Sequence, residues 1–166
     1  MAPYGVGRGR FFACTGLTPR GGAWRVFQAR RGIGMSSPTR NGIMQFPSAF
    51  DVATTIDRLR QALESHGVTV FAHIDFSGDA ARAGLAMRTE QMLIFGNPKA
   101  GTPLMQQESL AGLDLPLKAL VWDDGQGATW VACNAPEYII ARHGLPDAMA
   151  ANLAGPLPLL KQASSR

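Results

Sequence analysis

The sequence has little of three things, and each shortage narrows what the protein is. Among 166 residues there are two cysteines, Cys14 and Cys133, with no C-x-x-C pair and no His cluster beside either. That leaves no basis for a disulfide framework or a thiolate metal site, and reduced thiols in a cytoplasmic protein are the expectation. No stretch approaches the ~18–20 apolar residues that a bilayer-crossing helix needs, so no membrane partner is expected. Acidic residues are missing from the first 50 positions, which carry Arg8, Arg10, Arg20, Arg25, Arg30, Arg31 and Arg40. The remaining 116 positions hold nine of the 16 Lys/Arg against all 12 Asp/Glu, so the net +4 is a sum of +7 and −3. The basic character belongs to the N-terminal segment.

The first forty residues also hold eight of the 19 glycines and no sustained period of 2 or 3.6. A segment of that kind buries too little apolar surface to offset its ordering entropy, and residues 1–41 are expected to be disordered. A secretory signal needs about 7–15 continuous apolar residues. The longest candidate, Phe11-Phe12-Ala13-Cys14, is broken by Thr15-Gly16, and Gly32-Ile33-Gly34-Met35-Ser36-Ser37 after Arg30-Arg31 does not continue as an apolar core. Three readings stay open: a start assigned too far upstream, with Met35 or Met44 as the true first residue; an organellar targeting segment; or an Arg-rich arm for phosphate. Trp24 and Phe27 alone offer stacking surfaces there, so nucleic acid is not an expected partner.

The body, residues 42–163, reads as one α+β domain. Gly42 to Phe46 predicts a short strand ended by Pro47. Val52, Ile56, Leu59 and Leu63 form an i, i+4, i+7, i+11 stripe, which predicts a helix over 49–66 stopped by Gly67. Val68 to Asp75 alternates as a strand, and an Ala-rich helix follows from Ser77 or Asp79. Glu90 to Phe95 is a second strand, and Asn97-Pro98 starts a helix, with Asn as cap and Pro at the first helical position. Leu117–Asp123 and Ala128–Asn134 form a hairpin around Asp124-Gly125-Gln126-Gly127. Helices over 137–143 and 146–153 come next, and the Pro156/Pro158 segment is expected to end the domain. The order β-α-β-α-β-α-β-β-α-α predicts a mixed sheet with helices mainly on one face. The other face would then need covering, for which self-association into a homodimer is one solution.

Four stretches carry a family resemblance. They are Phe50-Asp51 with Phe71-Ala72-His73-Ile74-Asp75; Gly96-Asn97-Pro98-Lys99 through Met105; Leu113 to Asp123; and Asn134-Ala135-Pro136 with Tyr138 and Ala141-Arg142-His143-Gly144-Leu145. From about Gly42 to Leu145 the chain resembles the bacterial domain of unknown function 302 family. The resemblance implies an α+β fold and no agreed activity. Relatives often carry Asp-His after the second strand where this chain has Asp75-Phe76.

For chemistry, the best ligand candidates are Asn97 and Lys99, where free N–H groups at a helix start and an ammonium would favour a small anion. The spacing of Gly96 to Thr102 lacks the Walker pattern. Asp114 and Lys118 flank Pro116 and would join that site or form a loop-ordering ion pair. His73 and Asp75 share a strand face as a possible proton-transfer pair. His66 and His143 each precede a Gly at a helix end, where a helix dipole explains them. Trp122 and Trp130 read as a cross-strand pair. No catalytic set, cofactor or metal motif assembles. The leading expectation is a self-associating, non-enzymatic domain with a small anionic ligand. The alternative is an enzyme using Lys99, Asp114, Lys118 and His73.

Overall fold

The computed structural model describes residues 40–166. The Arg-rich segment and every reading of it lie outside the described residues. A turn at Arg40–Gly42 leads into β1 (Ile43–Ser48), α1 (Val52–Ser65), β2 (Thr69–Asp75), α2 (Phe76–Arg82), β3 (Glu90–Gly96) and α3 (Pro98–Gln107). A 3-10 turn, Ser109–Leu113, precedes β4 (Leu117–Asp123) and β5 (Thr129–Asn134). Then come α4 (Pro136–Arg142), α5 (Ala150–Ala154) and α6 (Pro156–Ser164). The α+β class and the order of the first ten elements are as the sequence predicts; α6 is an eleventh, and the sheet is antiparallel throughout where a mixed one is expected.

The five strands form one sheet in the order β1-β5-β4-β3-β2, antiparallel at every pairing. The central strands β3, β4 and β5 alternate in burial, and the buried half of the alternation faces the helices. Leu93 and Phe95 of β3, Ala119 and Val121 of β4 and Val131 of β5 are fully or almost fully buried. Against them lie Val52, Ile56, Leu59 and Leu63, the predicted stripe of α1. Asp51 caps that helix, its side chain accepting from the Thr54 N–H at 2.7 Å. Gly67 ends it at φ +70, a left-handed conformation that glycine adopts without strain.

Two boundaries differ from expectation. β1 runs through Pro47 to Ser48. It is an edge strand, paired only with β5, so the missing proline N–H breaks no ladder on its outer side. The Pro156/Pro158 segment is no terminal coil: both prolines sit in the first turn of α6, where their absent N–H groups have no intrahelical partner anyway. Leu160 and Ala163 of α6 are buried, and α6 packs on α1. Arg58 of α1 clamps the contact, its Nε donating to the Ala163 carbonyl at 2.8 Å while its guanidinium lies 4.2 Å from the Phe50 ring centre.

The opposite sheet face carries no buried residue. By register its centre presents Trp130 and Ala132 of β5, Lys118, Leu120 and Trp122 of β4, Glu90, Met92 and Ile94 of β3, and Ile74 of β2, all half-buried, and its edges present Ile43, Gln45 and Pro47 of β1 and Ala72 of β2, all exposed. Trp122 and Trp130 are directly opposed, as the hairpin pattern predicts.

Candidate functional site

One cleft of about 450 Å³ opens at the end of the sheet where β3 finishes and β4 begins. Its floor is Val68, Leu115, Leu117 and Leu153. Gly96, Asn97, Pro98, Gly101 and Met105 form one wall, and Gly155, Pro156 and Leu159 the other. Two irregularities shape it. The pairing of β2 with β3 shifts between Val70 and Ala72, a bulge at Phe71. Bulges re-aim a side chain, and the Phe71 ring, 52% exposed, turns over Gly96, where a Cβ would meet its Cε2 at 3.5 Å. On the other side Gly101 of α3 faces Leu115, whose Cδ1 lies 3.7 Å from where a Cβ would stand, an ordinary contact distance. The polar groups at the cleft are His66, Asn97, Thr102 and Asn152, all at exposed positions. The cleft is an apolar slot with a polar mouth, a shape that suits a small organic body more than a bare ion.

Asn97 lies in this cleft and caps α3 as the sequence predicts: its side-chain oxygen accepts from the Lys99 N–H at 2.9 Å. The expectation of free donors at the helix start is corrected by this geometry. Pro98 has no N–H, that of Lys99 is used by the cap, and those of Ala100 and Gly101 reach the Asn97 carbonyl at 2.9 and 3.0 Å. No first-turn donor is left for an anion. Lys99 itself is exposed and outside the lining, next to Pro98.

The expected Asp114–Lys118 ion pair is also corrected. Lys118 Nζ donates instead to the carbonyls of Asp114 and Pro116, at 3.3 and 3.2 Å. The Asp114 carboxylate, 10% exposed, turns the other way. It accepts from His143 Nε2 at 2.7 Å and from Arg142 Nη1 at 3.1 Å. His143 is 6% exposed and Arg142 is 49% exposed. Sequence reasoning saw the Arg142-His143 dipeptide at a helix end but missed its acceptor, because the two halves are 29 residues apart.

His73 and Asp75 do not pair either. His73 Nε2 meets Gln91 Oε1 at 2.9 Å, and its Nδ1 lies 3.4 Å from Arg60. Asp75 caps α2, accepting from Ser77 Oγ at 2.7 Å and the Gly78 N–H at 2.9 Å. Those bonds, the Ser77 hydroxyl first, hold its carboxyl below the usual carboxylate range. Asp124 is lowered similarly by the Gln126 and Ala128 N–H groups, so the hairpin acids order their turn. In Cys133 burial pushes the thiol up to about 11, against a weaker opposing pull from Lys161. No side-chain to side-chain bond therefore joins Lys99, Asp114, Lys118 and His73; Lys118 reaches Asp114 only through its main-chain carbonyl. Among the described residues no group of three or more His, Cys, Asp or Glu could hold a metal ion. Nor is any described helix long and apolar enough to cross a membrane.

The fold and the sequence both have relatives. A crystal structure of an uncharacterized conserved DUF302 protein from Bacillus stearothermophilus superposes with a TM-score of 0.66 at 20% identity, over 74% of this chain and 98% of that one. Among curated proteins the chain is 40% identical over 111 residues to fluoride-specific ion channel FluC 1 of Brucella suis and to its counterpart in Brucella abortus. The match takes in 67% of this chain but only 44% and 41% of those proteins, so the chain spans about two fifths of their length. The model of the family described as domain of unknown function DUF302 matches residues 44–157, from β1 into the start of α6. The chain belongs to the DUF302 family.

Proposed function

We propose that this protein is a self-associating, cytoplasmic binding domain for a small amphipathic anion. Its apolar body fills the cleft beside Asn97, and its charged end meets Lys99 at the rim. The observation that carries the reading is the cleft: about 450 Å³, apolar in its depth, with its hydrogen-bonding groups collected at the mouth. Lys99 adds a solvated ammonium beside that mouth, which favours a carboxylate or phosphate over a neutral head group. That no side-chain to side-chain bond joins Lys99, Asp114, Lys118 and His73 supports binding over turnover. The buried Cys133 thiol suits a reducing compartment.

The test is a thermal-shift screen with short aliphatic and aromatic carboxylates, each paired with its neutral amide. A true ligand at 100 times its Kd stabilises by about 2.7 kcal/mol. Gly101→Leu, which fills the slot, should abolish the shift, and Lys99→Ala should erase the preference for the acid over the amide. Equal shifts in wild type and Gly101→Leu would refute the cleft as the site.

The likeness to channels named fluoride-specific supports a second reading, in which the anion is fluoride. Sodium fluoride should then raise the unfolding midpoint where equal sodium chloride does not. Equal effects of the two salts would dispose of it.

A further inference from the structure

We infer that the open sheet face is the surface through which two copies associate, packed with their strands antiparallel across an isologous two-fold axis. This rests on the self-association proposed above and goes beyond it by assigning the face and the register. Five strands about 4.8 Å apart and about 20 Å long give a footprint near 24 by 20 Å. That is within a factor of two of the roughly 800 Å² per partner found in stable complexes. The centre of the footprint is Leu120, the middle residue of the middle strand, with Met92 and Ala132 opposed to it on either side. Such a contiguous apolar patch, rimmed by polar groups, marks an association surface rather than a solvated one.

Charge selects a second copy of this chain as the occupant and fixes its orientation. The face carries one cation, Lys118, at the start of β4, and one anion, Glu90, in register with Trp122 near its end. Among the described residues neither forms an ion pair with another side chain. Lys118 has also spent only two of its three ammonium donors, on the Asp114 and Pro116 carbonyls. Face-to-face sheets lie about 10 Å apart, so their two-fold axis runs in the plane between them. An axis along the strands would set Lys118 of the middle strand against its own copy. An axis across the strands reverses one sheet over the other. Each Lys118 then stands over the second copy's Trp122, one strand away from its Glu90. The face is thus self-complementary in one orientation and self-repelling in the other.

The test is sedimentation equilibrium of the full chain. Wild type should dimerise, and Leu120→Glu, which sets two carboxylates at the axis, should raise the dimer Kd at least about tenfold. Ala132→Glu serves as the second variant if Leu120→Glu does not fold. Glu90→Lys and Lys118→Glu should each weaken the dimer, and the double exchange should restore it to within about threefold of wild type. A dimer indifferent to both Leu120→Glu and Ala132→Glu overturns the face while leaving self-association standing. Failure of the double exchange to recover the single losses overturns the register. A monomeric wild type at about 100 μM, where even a dimer with a Kd of about 1 μM would be largely formed, overturns this inference and self-association together, and leaves ligand binding at the cleft untouched.

Discussion

Replacing Asp114 by Ala should be the most damaging single change at any charged position outside the hydrophobic core. The carboxylate is 10% exposed and serves two donors. The His143 side chain, 6% exposed, has little solvent access to replace its 2.7 Å bond to Oδ2. A hydrogen bond to a charged group contributes about 1.5–3 kcal/mol, and orphaning a buried partner adds its desolvation penalty. Arg142 is half exposed, so its 3.1 Å bond to Oδ1 is worth no more than about 0–1 kcal/mol. The expected loss is about 2–4 kcal/mol, below the 3–5 of a fully buried pair because one partner is solvated. Asp114→Asn keeps an acceptor for His143 and should lose about half as much. Urea unfolding followed by tryptophan fluorescence measures both, with Trp122 and Trp130 as reporters on the sheet. A double-mutant cycle with His143→Ala should return a coupling of about 1–3 kcal/mol. A coupling near zero, or an Asp114→Ala loss under about 0.5 kcal/mol, would mean that the pair is solvated and ties nothing together.

Asn97→Ala should destabilise by about 0.5–2 kcal/mol through loss of the α3 cap while Lys99→Ala does almost nothing, and the reverse ranking in the same urea assay would misplace the helix start. Gly42 and Gly67 share nearly the same backbone, at φ +72 and +70, but a Cβ on Gly42 would fall 2.1 Å from Tyr138 Cγ whereas Gly67 has open space. Gly67→Ala should therefore cost about 1–2 kcal/mol, the left-handed penalty alone, and Gly42→Ala clearly more; equal losses would deny the Tyr138 contact. Cys133 should resist alkylation in the native state at pH 8. Its thiol titrates near 9.0 when unfolded and about 11 when folded, so the raised value favours the folded state below pH 9 and that stability drains away between about 9 and 11. The alkaline loss should be larger in wild type than in Cys133→Ala, and identical pH profiles would count against burial as the cause.

What the sequence made legible follows from range. The stripe of α1, the cap at Asn97, the hairpin and the Trp122–Trp130 pair are all written within about 15 residues, where periodicity and turn chemistry act. The α6 helix was hidden by its two prolines, which read as breakers until one sees that both fall in the first turn. The Asp114–His143 contact joins a loop to a helix end across the domain, and no local pattern carries that information. At the cleft, Asn97 was found for the right local reason. The inference from its cap to free donors failed because the cap itself and the Asn97 carbonyl use them.

The strand order has a consequence for how the chain assembles. β2, β3, β4 and β5 are neighbours in both sequence and space, so they can zip one after another through short closures. β1 cannot take part: Ile43 pairs with Asn134, and Ala49 donates its N–H to Ser164 at the other end of the domain. On the ribosome β1 emerges before them yet must wait for β5 before its ladder exists, and α1, which can pack on β2, β3 and β4 as they form, must wait for α6 to complete its contacts. The two ends of the domain thus act as a clasp that fastens last. Loss of the final turn of α6 should therefore slow or prevent closure of a sheet whose central strands are already in place, leaving the β1 edge of β5 exposed to the wrong partner.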